Sequence, residues 1–254
     1  MAKNNKKSPL KAAPLRNPGQ SLDEEITALW DDKAFFYFVF ILGYLGIAAV
    51  DWFRWLTDTP IKPVGSTIVF LLVFSFSAYK LIGIKRTSER LKMARDGERA
   101  VGQYLDILRE QGARILHDLI GDDFNVDHLV ISEKGIFTVE TKTYSKPVRG
   151  DARVRVINGE VYANAYKIDR SPLIQSRAQV GWVRELLKES SGKNFPVQGV
   201  IVFPGWYVEP CREDVWVLNP KALPAFIEKT SVKLPLEDVH LAYFHLSRYV
   251  RTKW

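Results

Sequence analysis

The stretch DHLVISEKGIFTVETKT, residues 127–143, places two acids and a lysine where a pair of strands would ordinarily carry apolar side chains. Strand side chains alternate, so Asp127 falls on one face with Leu129 and Ile131. Ile136, Thr138, Glu140 and Lys142 fall on one face of the next strand. Asp127 lies seven residues before Lys134 and Glu140 six after it, so antiparallel pairing through a short turn brings Asp127 beside Glu140 and Lys142. Neighbouring carboxylates repel and are costly to desolvate. A hard cation such as Mg²⁺ relieves that cost, held by one or two carboxylates, waters and phosphate oxygens. A lysine on the same face can contact an attacking water or a phosphate oxygen, and metal and lysine together would stabilise the charge of a phosphodiester displacement. The same triplet also reads as a solvated strand face with a Glu–Lys pair, and the residue types alone leave both readings open.

Two further side chains fit the first reading. Glu98 precedes Val101 by three residues and Leu105 by seven, so it points along the apolar stripe of a helix in DGERAVGQYLDILREQG. Gln175, in the helix SPLIQSRAQVGWVRELLKES, offers an amide that could orient the lysine or a phosphate. Ser171 is a candidate N-cap of that helix and Pro172 its first-turn proline.

The elements that must position these residues follow from pattern. ARILHDLI is a strand, GDDFN a turn, and VDHLVIS and GIFTVETKT the next two strands. Asn158-Gly159 between two alternating runs signals a hairpin. VQGVIVFPG is nearly continuous in apolar residues and reads as a strand buried on both faces, followed by the strand VWVLN. KALPAFIEK and LEDVHLAYFHLSRYV read as helices. The sum is a mixed α/β domain with helices before and after a central sheet.

Ahead of that domain lie two stretches of seventeen uncharged residues, AFFYFVFILGYLGIAAV and PVGSTIVFLLVFSFSAY. A membrane span needs about 20 apolar residues, with a lower limit near 17. Both stretches are apolar on all faces, which suits a membrane better than a soluble core. Trp52 and Trp55 in the loop suit a membrane–water interface. Lys3, Lys6, Lys7, Lys11, Arg16 and Lys33 precede the first stretch, and Lys80, Lys85, Arg86, Arg90, Lys92, Arg95 and Arg99 accompany the end of the second, against Arg54 and Lys62 between them. The positive-inside rule then puts both termini in the cytoplasm, at the inner membrane in a Gram-negative cell. Expected boundaries are 1–32 for a cytoplasmic, largely disordered tail, 33–84 for a transmembrane helical hairpin, 85–95 for a basic juxtamembrane linker, 96–230 for the α/β domain and 231–254 for a C-terminal helix.

Net charge is +7, of which residues 1–85 carry +3 and the rest +4. That is compatible with a nucleic-acid partner without demanding one. A single cysteine, Cys211, excludes an internal disulfide and a cysteine-based zinc site. His117, His128, His240 and His245 have no metal-ligand spacing and read as packing or surface residues. Trp182, Trp206, Tyr207 and Trp216 could stack on bases or fill the core, and Arg149, Arg153 and Arg155 form either a phosphate-contacting stripe or a solvated strand face.

Taken in order, GERAVGQYL, VDHLVISEKGIFTVETKT, SPLIQ and VQGVIVFP resemble the nuclease-related domain family, NERD, over roughly residues 96–229. That family resembles the restriction-endonuclease-like, PD-(D/E)XK, superfamily. The resemblance implies a restriction-endonuclease-like mixed sheet flanked by helices, here preceded by a transmembrane helical hairpin. Carried across, Asp127 and Glu140 would bind metal, with the Thr141 backbone carbonyl beside them. Lys142 would be the catalytic lysine, and Glu98 and Gln175 the supporting helix residues. The implied metal is Mg²⁺, with Mn²⁺ as a substitute, and the implied partner is nucleic acid, DNA ahead of RNA. The chain departs from the family pattern at TYSKPVRG after the lysine and at Ser171-Pro172 before the glutamine, positions that bear on substrate contacts. The expected activity is metal-dependent phosphodiester hydrolysis at a membrane. The alternative is a non-catalytic scaffold of the same fold that tethers nucleic acid or a protein there.

Overall fold

The computed structural model describes residues 12–57, 60, 62–121, 124–147, 152–169 and 171–252. Lys3, Lys6, Lys7, Lys11, Arg149 and the two aspartates of the GDDFN turn lie outside them. The chain divides into two compact units, one formed by Ser21–Met93 and the other by the residues on either side of it.

The Ser21–Met93 unit is helical. It holds most of α1 (Gln20–Ala28), a π-helical turn at Leu29–Ala34, α2 (Phe35–Leu56) and the first part of α3 (Val64–Glu110). Two helical stretches, Gln20–Leu56 and Val64–Glu110, are long and apolar enough to cross a membrane, and only 11% and 6% of their most apolar windows are buried. Phe36, Leu42, Leu72 and Phe76 all point outward. A helix in a soluble core would bury such side chains. Antiparallel pairing of α2 with the first part of α3 is recorded by two contacts, Trp52 Nε1 donating to Thr67 Oγ1 at 2.9 Å and Tyr37 meeting Phe76 edge-on, and the π-helical turn adds a third, Trp30 Nε1 donating to Ser88 Oγ at 3.1 Å. The small residues Ala34, Ala48, Ser77 and Ser88 are buried in this unit. The basic stretch 85–95 is helical throughout, because α3 runs on without a break to Glu110.

The other unit is the α/β domain. After α3 come β1 (Arg114–Ile120), β2 (Asn125–Ser132), β3 (Gly135–Thr141), β4 (Arg153–Ile157), β5 (Glu160–Ala163) and β6 (Tyr166–Lys167). Then follow α4 (Pro172–Ser191), β7 (Val197–Val202), β8 (Tyr207–Val208), β9 (Cys211–Arg212), β10 (Val215–Leu218), α5 (Leu223–Glu228) and α6 (Leu236–Thr252). The main sheet has the order β1-β2-β3-β7-β10-β9, antiparallel from β1 to β3 and parallel from β3 through β7 to β10. A smaller sheet has the order β6-β5-β4-β8. Its β4–β5 turn is Asn158-Gly159, both at positive φ (52° and 72°), as the dipeptide signals. Ser171 precedes α4 as expected, but its side chain makes no cap bond; the first amides of the helix reach its backbone carbonyl instead.

Helices cover both faces of the main sheet. Val180, Val183 and Leu187 of α4 and Leu246 and Val250 of α6 pack with Leu129, Ile131 and Ile136 on one side. Val101, Leu105 and Leu108 of α3 and Leu223 and Ile227 pack with Val130, Phe137 and Val139 on the other. Alternation along β1 and β2 fails at one level. Leu116 and Leu119, three apart, reach the same core, and so do Val126 and Leu129. Asp118 and Asp127 occupy the break, and Asp118 has the left-handed φ of 52° that turns the strand over. Asp127 therefore does not simply share a face with Leu129 and Ile131, as regular alternation would have it.

The expected tail also differs. Residues 12–32 are structured: 20–34 are helical, and Arg16 is buried in the α/β unit. Its partner Asp118 is far away in sequence, which is why composition alone suggested an unstructured segment.

Candidate active site

The site forms where β2 and β3 part. Their pairing runs from Ser132↔Gly135 to His128↔Val139. The next outward amide of β3 would seek a carbonyl on β2. Instead, the Thr141 N–H donates to Asp127 Oδ2 at 2.7 Å. On the opposite edge, Lys142 N–H continues the ladder to the Val202 carbonyl at 2.9 Å. The Asp127 carboxylate thus lies in the fork between the two strands, beside the acid that precedes Thr141.

Glu140 is that acid, almost fully buried on the α4 side of the sheet. Its Oε1 accepts from Lys142 Nζ at 2.6 Å and from Gln175 Nε2 at 2.8 Å. Lys142 Nζ also donates to Gln175 Oε1 at 2.9 Å, closing a triangle of three side chains. Glu140 Oε2 accepts from Gln179 Nε2 at 2.6 Å, and the same Gln179 amide donates to the Asn125 carbonyl at 2.8 Å. Gln179 thereby ties α4 both to the acid and to the start of β2. Its role was missed in the sequence, although it sits one helical turn after Gln175 and so on the same face. Gly199 admits α4 at this height, since a Cβ there would lie 2.5 Å from Ser176 Oγ.

Glu98 completes the acidic set from the opposite side. It is buried beside Val101 and Leu105 on α3. Burial, then Asp118, then Glu140 push its carboxyl up to about 8, against smaller lowering by the Gly19 N–H and by Lys142. Asp127 is raised well above the ordinary carboxylate range by burial and by the charges of Glu140 and Glu98, despite the Thr141 N–H and Lys142. For Lys142 burial acts downward, but Glu140, Asp127 and Tyr144 outweigh it, and the ammonium form is favoured. Every expected site residue is thus brought together: Asp127, Glu140 with Thr141, Lys142, Glu98 and Gln175. Asp118 joins them, buried and bonded by Arg16 Nε at 2.8 Å.

The donor set suits a hard cation. Asp127 and Glu140 supply carboxylate oxygens, and Mg²⁺ typically takes one or two carboxylates and keeps several waters. A carboxylate offers about four lone-pair directions, and Glu140 uses three of them on Lys142, Gln175 and Gln179. Mutual repulsion among the acids is the cost that a cation offsets. Among the described residues, no group of three His, Cys, Asp or Glu side chains is placed to hold a metal alone, so backbone oxygen and water would have to complete the shell.

Other candidates resolve differently. Trp206 and Trp216 are buried in the core, and Trp182 packs against Phe124 and Tyr249. Tyr207 is exposed, with the Arg153 guanidinium over its ring at 5.1 Å. Glu209 sits between Arg153 and Arg155, at 3.4 and 3.7 Å, and offsets their charge. His117 and His128 face each other with Nδ1 atoms 2.9 Å apart.

Residues 94–204 match the family model of the nuclease-related domain, NERD. Over that stretch the chain is similar to the nuclease-related domain. The stretch contains all the acidic-site residues named above except Arg16 and Gly19, and it ends just after β7. Searches of curated proteins and of solved structures return no match. Similarity to a nuclease-related domain suggests, in general terms, nucleic-acid binding and dependence on a divalent metal.

Proposed function

We propose that this protein is a membrane-anchored nuclease that hydrolyses phosphodiester bonds of nucleic acid, DNA ahead of RNA, with Mg²⁺ or Mn²⁺. The observation that carries the reading is the closed Glu140–Lys142–Gln175 triangle beside Asp127 in the strand fork. The resemblance of the sequence to the restriction-endonuclease-like superfamily supports the same reading. Asp127, Glu140 and the Thr141 carbonyl would hold the cation. A bound cation supplies charge stabilisation at the phosphate and a more acidic water. Lys142 Nζ, held 2.9 Å from Gln175 Oε1, donates to the attacking water or to a phosphate oxygen as negative charge builds. Gln175 keeps the ammonium aimed, and Glu98 walls the site on the α3 side. Water adds to phosphorus and gives up one proton to solvent, the bond from phosphorus to the leaving oxygen breaks, and that oxygen takes up a proton. The two apolar helices would span the membrane with both termini in the cytoplasm, at residues 33–84.

A second reading draws on a specific observation. Three donors already bind Glu140, which would also suit a domain that keeps the fold and tethers nucleic acid or a protein without cleaving it. One experiment separates the two. The full chain in detergent is incubated with labelled single-stranded DNA, duplex DNA and RNA, with Mg²⁺ or with EDTA. Cleavage that needs metal and that Lys142→Ala reduces roughly 10²-fold supports the nuclease. Retention of nucleic acid without cleavage, equal in wild type and Lys142→Ala, supports the tether.

A further inference from the structure

The segment that precedes α1 is built into the α/β unit. Leu15 packs against the core beneath α4 and α6, and Ala13 O accepts from Arg251 Nη1 at 3.3 Å. Arg16 is 5% exposed and its Nε donates to Asp118 Oδ2, itself buried, at 2.8 Å. Pro18 lies against Gly102, where a Cβ would come 2.8 Å from its Cγ. Gly19, at φ +69°, hydrogen-bonds the Glu98 carboxylate through its N–H. One short segment therefore touches two of the four clustered acids.

A tie to the surface would not need a buried arginine. Removing that charge from water is costly and is offset only by good geometry, so a buried ion pair is weak evidence for a purely stabilising role. Its position is more telling. Asp118 stands at the left-handed break in β1, level with Asp127 on β2, where both strands switch faces. Asn125 Nδ2 also reaches Asp118, at 3.4 Å, and the Asn125 carbonyl receives Gln179. Arg16, Asp118, Asn125, Gln179 and Glu140 thus form one connected series from the N-terminal segment to the acid in the fork.

We propose that residues 12–19 are a working part of the acidic site and that Arg16 is its positioning residue, acting through Asp118. The idea rests on the reading of Asp127 and Glu140 as the reacting centre. It assigns to the stretch leading into α1 a cation and a backbone donor that the matched domain, residues 94–204, does not itself contain. The geometry of the fork depends on that stretch being docked.

The test uses the full chain in detergent, with hydrogen exchange and cleavage read on the same samples. Arg16→Met is expected to raise exchange in residues 12–20, 97–103, 114–121 and 124–132, and to lower cleavage by roughly 10²-fold, the scale of a misplaced reacting group. Arg16→Lys restores most of both. Arg16→Met/Asp118→Asn, in which Asn suits the left-handed backbone, regains the thermal midpoint but not the cleavage. Exchange confined to residues 12–20 with cleavage at the wild-type level overturns the proposal, and so does full recovery of cleavage in the double variant. If the wild type cleaves nothing, the nuclease reading fails, and the exchange pattern alone then decides. Spread to 97–103 and 114–132 supports a positioning segment, and confinement to 12–20 overturns it.

Discussion

Asp127 Oδ2 lies 2.7 Å from the Thr141 amide nitrogen, in the position that a strand carbonyl would otherwise fill. One carboxylate therefore completes a ladder and stands beside the buried acid Glu140. The two tasks conflict, because a charge held in the fork is raised in energy by burial and by its neighbours.

Asp127→Asn separates them. An amide oxygen can still accept from Thr141, while the buried charge is gone. With EDTA at pH 8, the variant should melt higher than wild type, and the added Mg²⁺ that raises the wild-type midpoint should leave it unmoved. Calorimetric melts with and without Mg²⁺ check both parts. A ligand present at 100 times its dissociation constant contributes about 2.7 kcal/mol, which sets the size of the wild-type rise.

Glu98 gives a pH signature. Its folded pKa is raised from 4.5 to about 8, so the unfolded chain loses this proton first as pH rises. Its contribution is complete below about 4.5 and disappears as pH climbs through about 8. Metal-free protein should lose stability across that window, by an amount on the order of a few kcal/mol. Glu98→Gln should flatten the alkaline limb. Thermal midpoints from pH 5 to 9 in EDTA measure it, and an unchanged slope in the variant would remove Glu98 as the source.

The histidine pair acts with the opposite sign. Burial, then Arg109, lowers His117 to about 4, and burial, then His117, lowers His128 well below its usual value. The unfolded chain therefore binds protons first as pH falls from 6.5. This contribution is intact above about 6.5 and is lost as pH drops through about 4. His117→Gln should weaken the acid limb of the stability curve and leave the alkaline limb in place. The same melts, extended to pH 4, show whether the two limbs separate.

Much of this was legible because it is local. Alternation, the Asn158-Gly159 turn and the apolar run of β7 fix elements through neighbours in the chain, and Asp127, Glu140 and Lys142 stand out as charges on such elements. Gln175 was legible only as one polar residue in a helix whose order after the strands is familiar. Gln179 shares its face and had the same signal, but nothing local shows that the Asn125 carbonyl awaits it. Arg16 and Asp118 were illegible for a stronger reason. Their contact joins residues 102 positions apart, and a basic, proline-containing segment looks like a tail until its partner is known. The face switch at Asp118 was hidden too, since ARILHDLI gives no sign that an aspartate adopts a left-handed backbone.

Gln179→Leu tests the α4 anchor. It would remove a donor from Glu140 and another from the Asn125 carbonyl, and leave the acid in the same apolar surroundings. A hydrogen bond to a charged group contributes about 1.5–3 kcal/mol, so a loss of that order is expected in the denaturation midpoint of metal-free protein. Added Mg²⁺ should recover part of it, because the cation supplies the charge that the amide had partly balanced. A loss of similar size in Gln179→Leu and in Glu140→Gln/Gln179→Leu would show that the amide serves the Asn125 carbonyl rather than the acid.

Gly97 sets how closely α3 brings Glu98 to the fork. A Cβ at that position would overlap Thr143 Oγ1 and come within 3.1 Å of the Thr143 Cβ and Cγ2. Thr143 follows Lys142 directly, so any retreat of α3 moves Glu98 away from the lysine. Gly97→Ala should therefore destabilise the domain by about 1–3 kcal/mol, as overpacking does, even though alanine is the better helix former. Thr143→Gly removes all three obstructing atoms. In a double-mutant cycle the two changes should couple favourably, with the double variant more stable than the sum of the singles. Additive effects would mean that α3 yields freely here, and Glu98 would then not be held against the site by this contact.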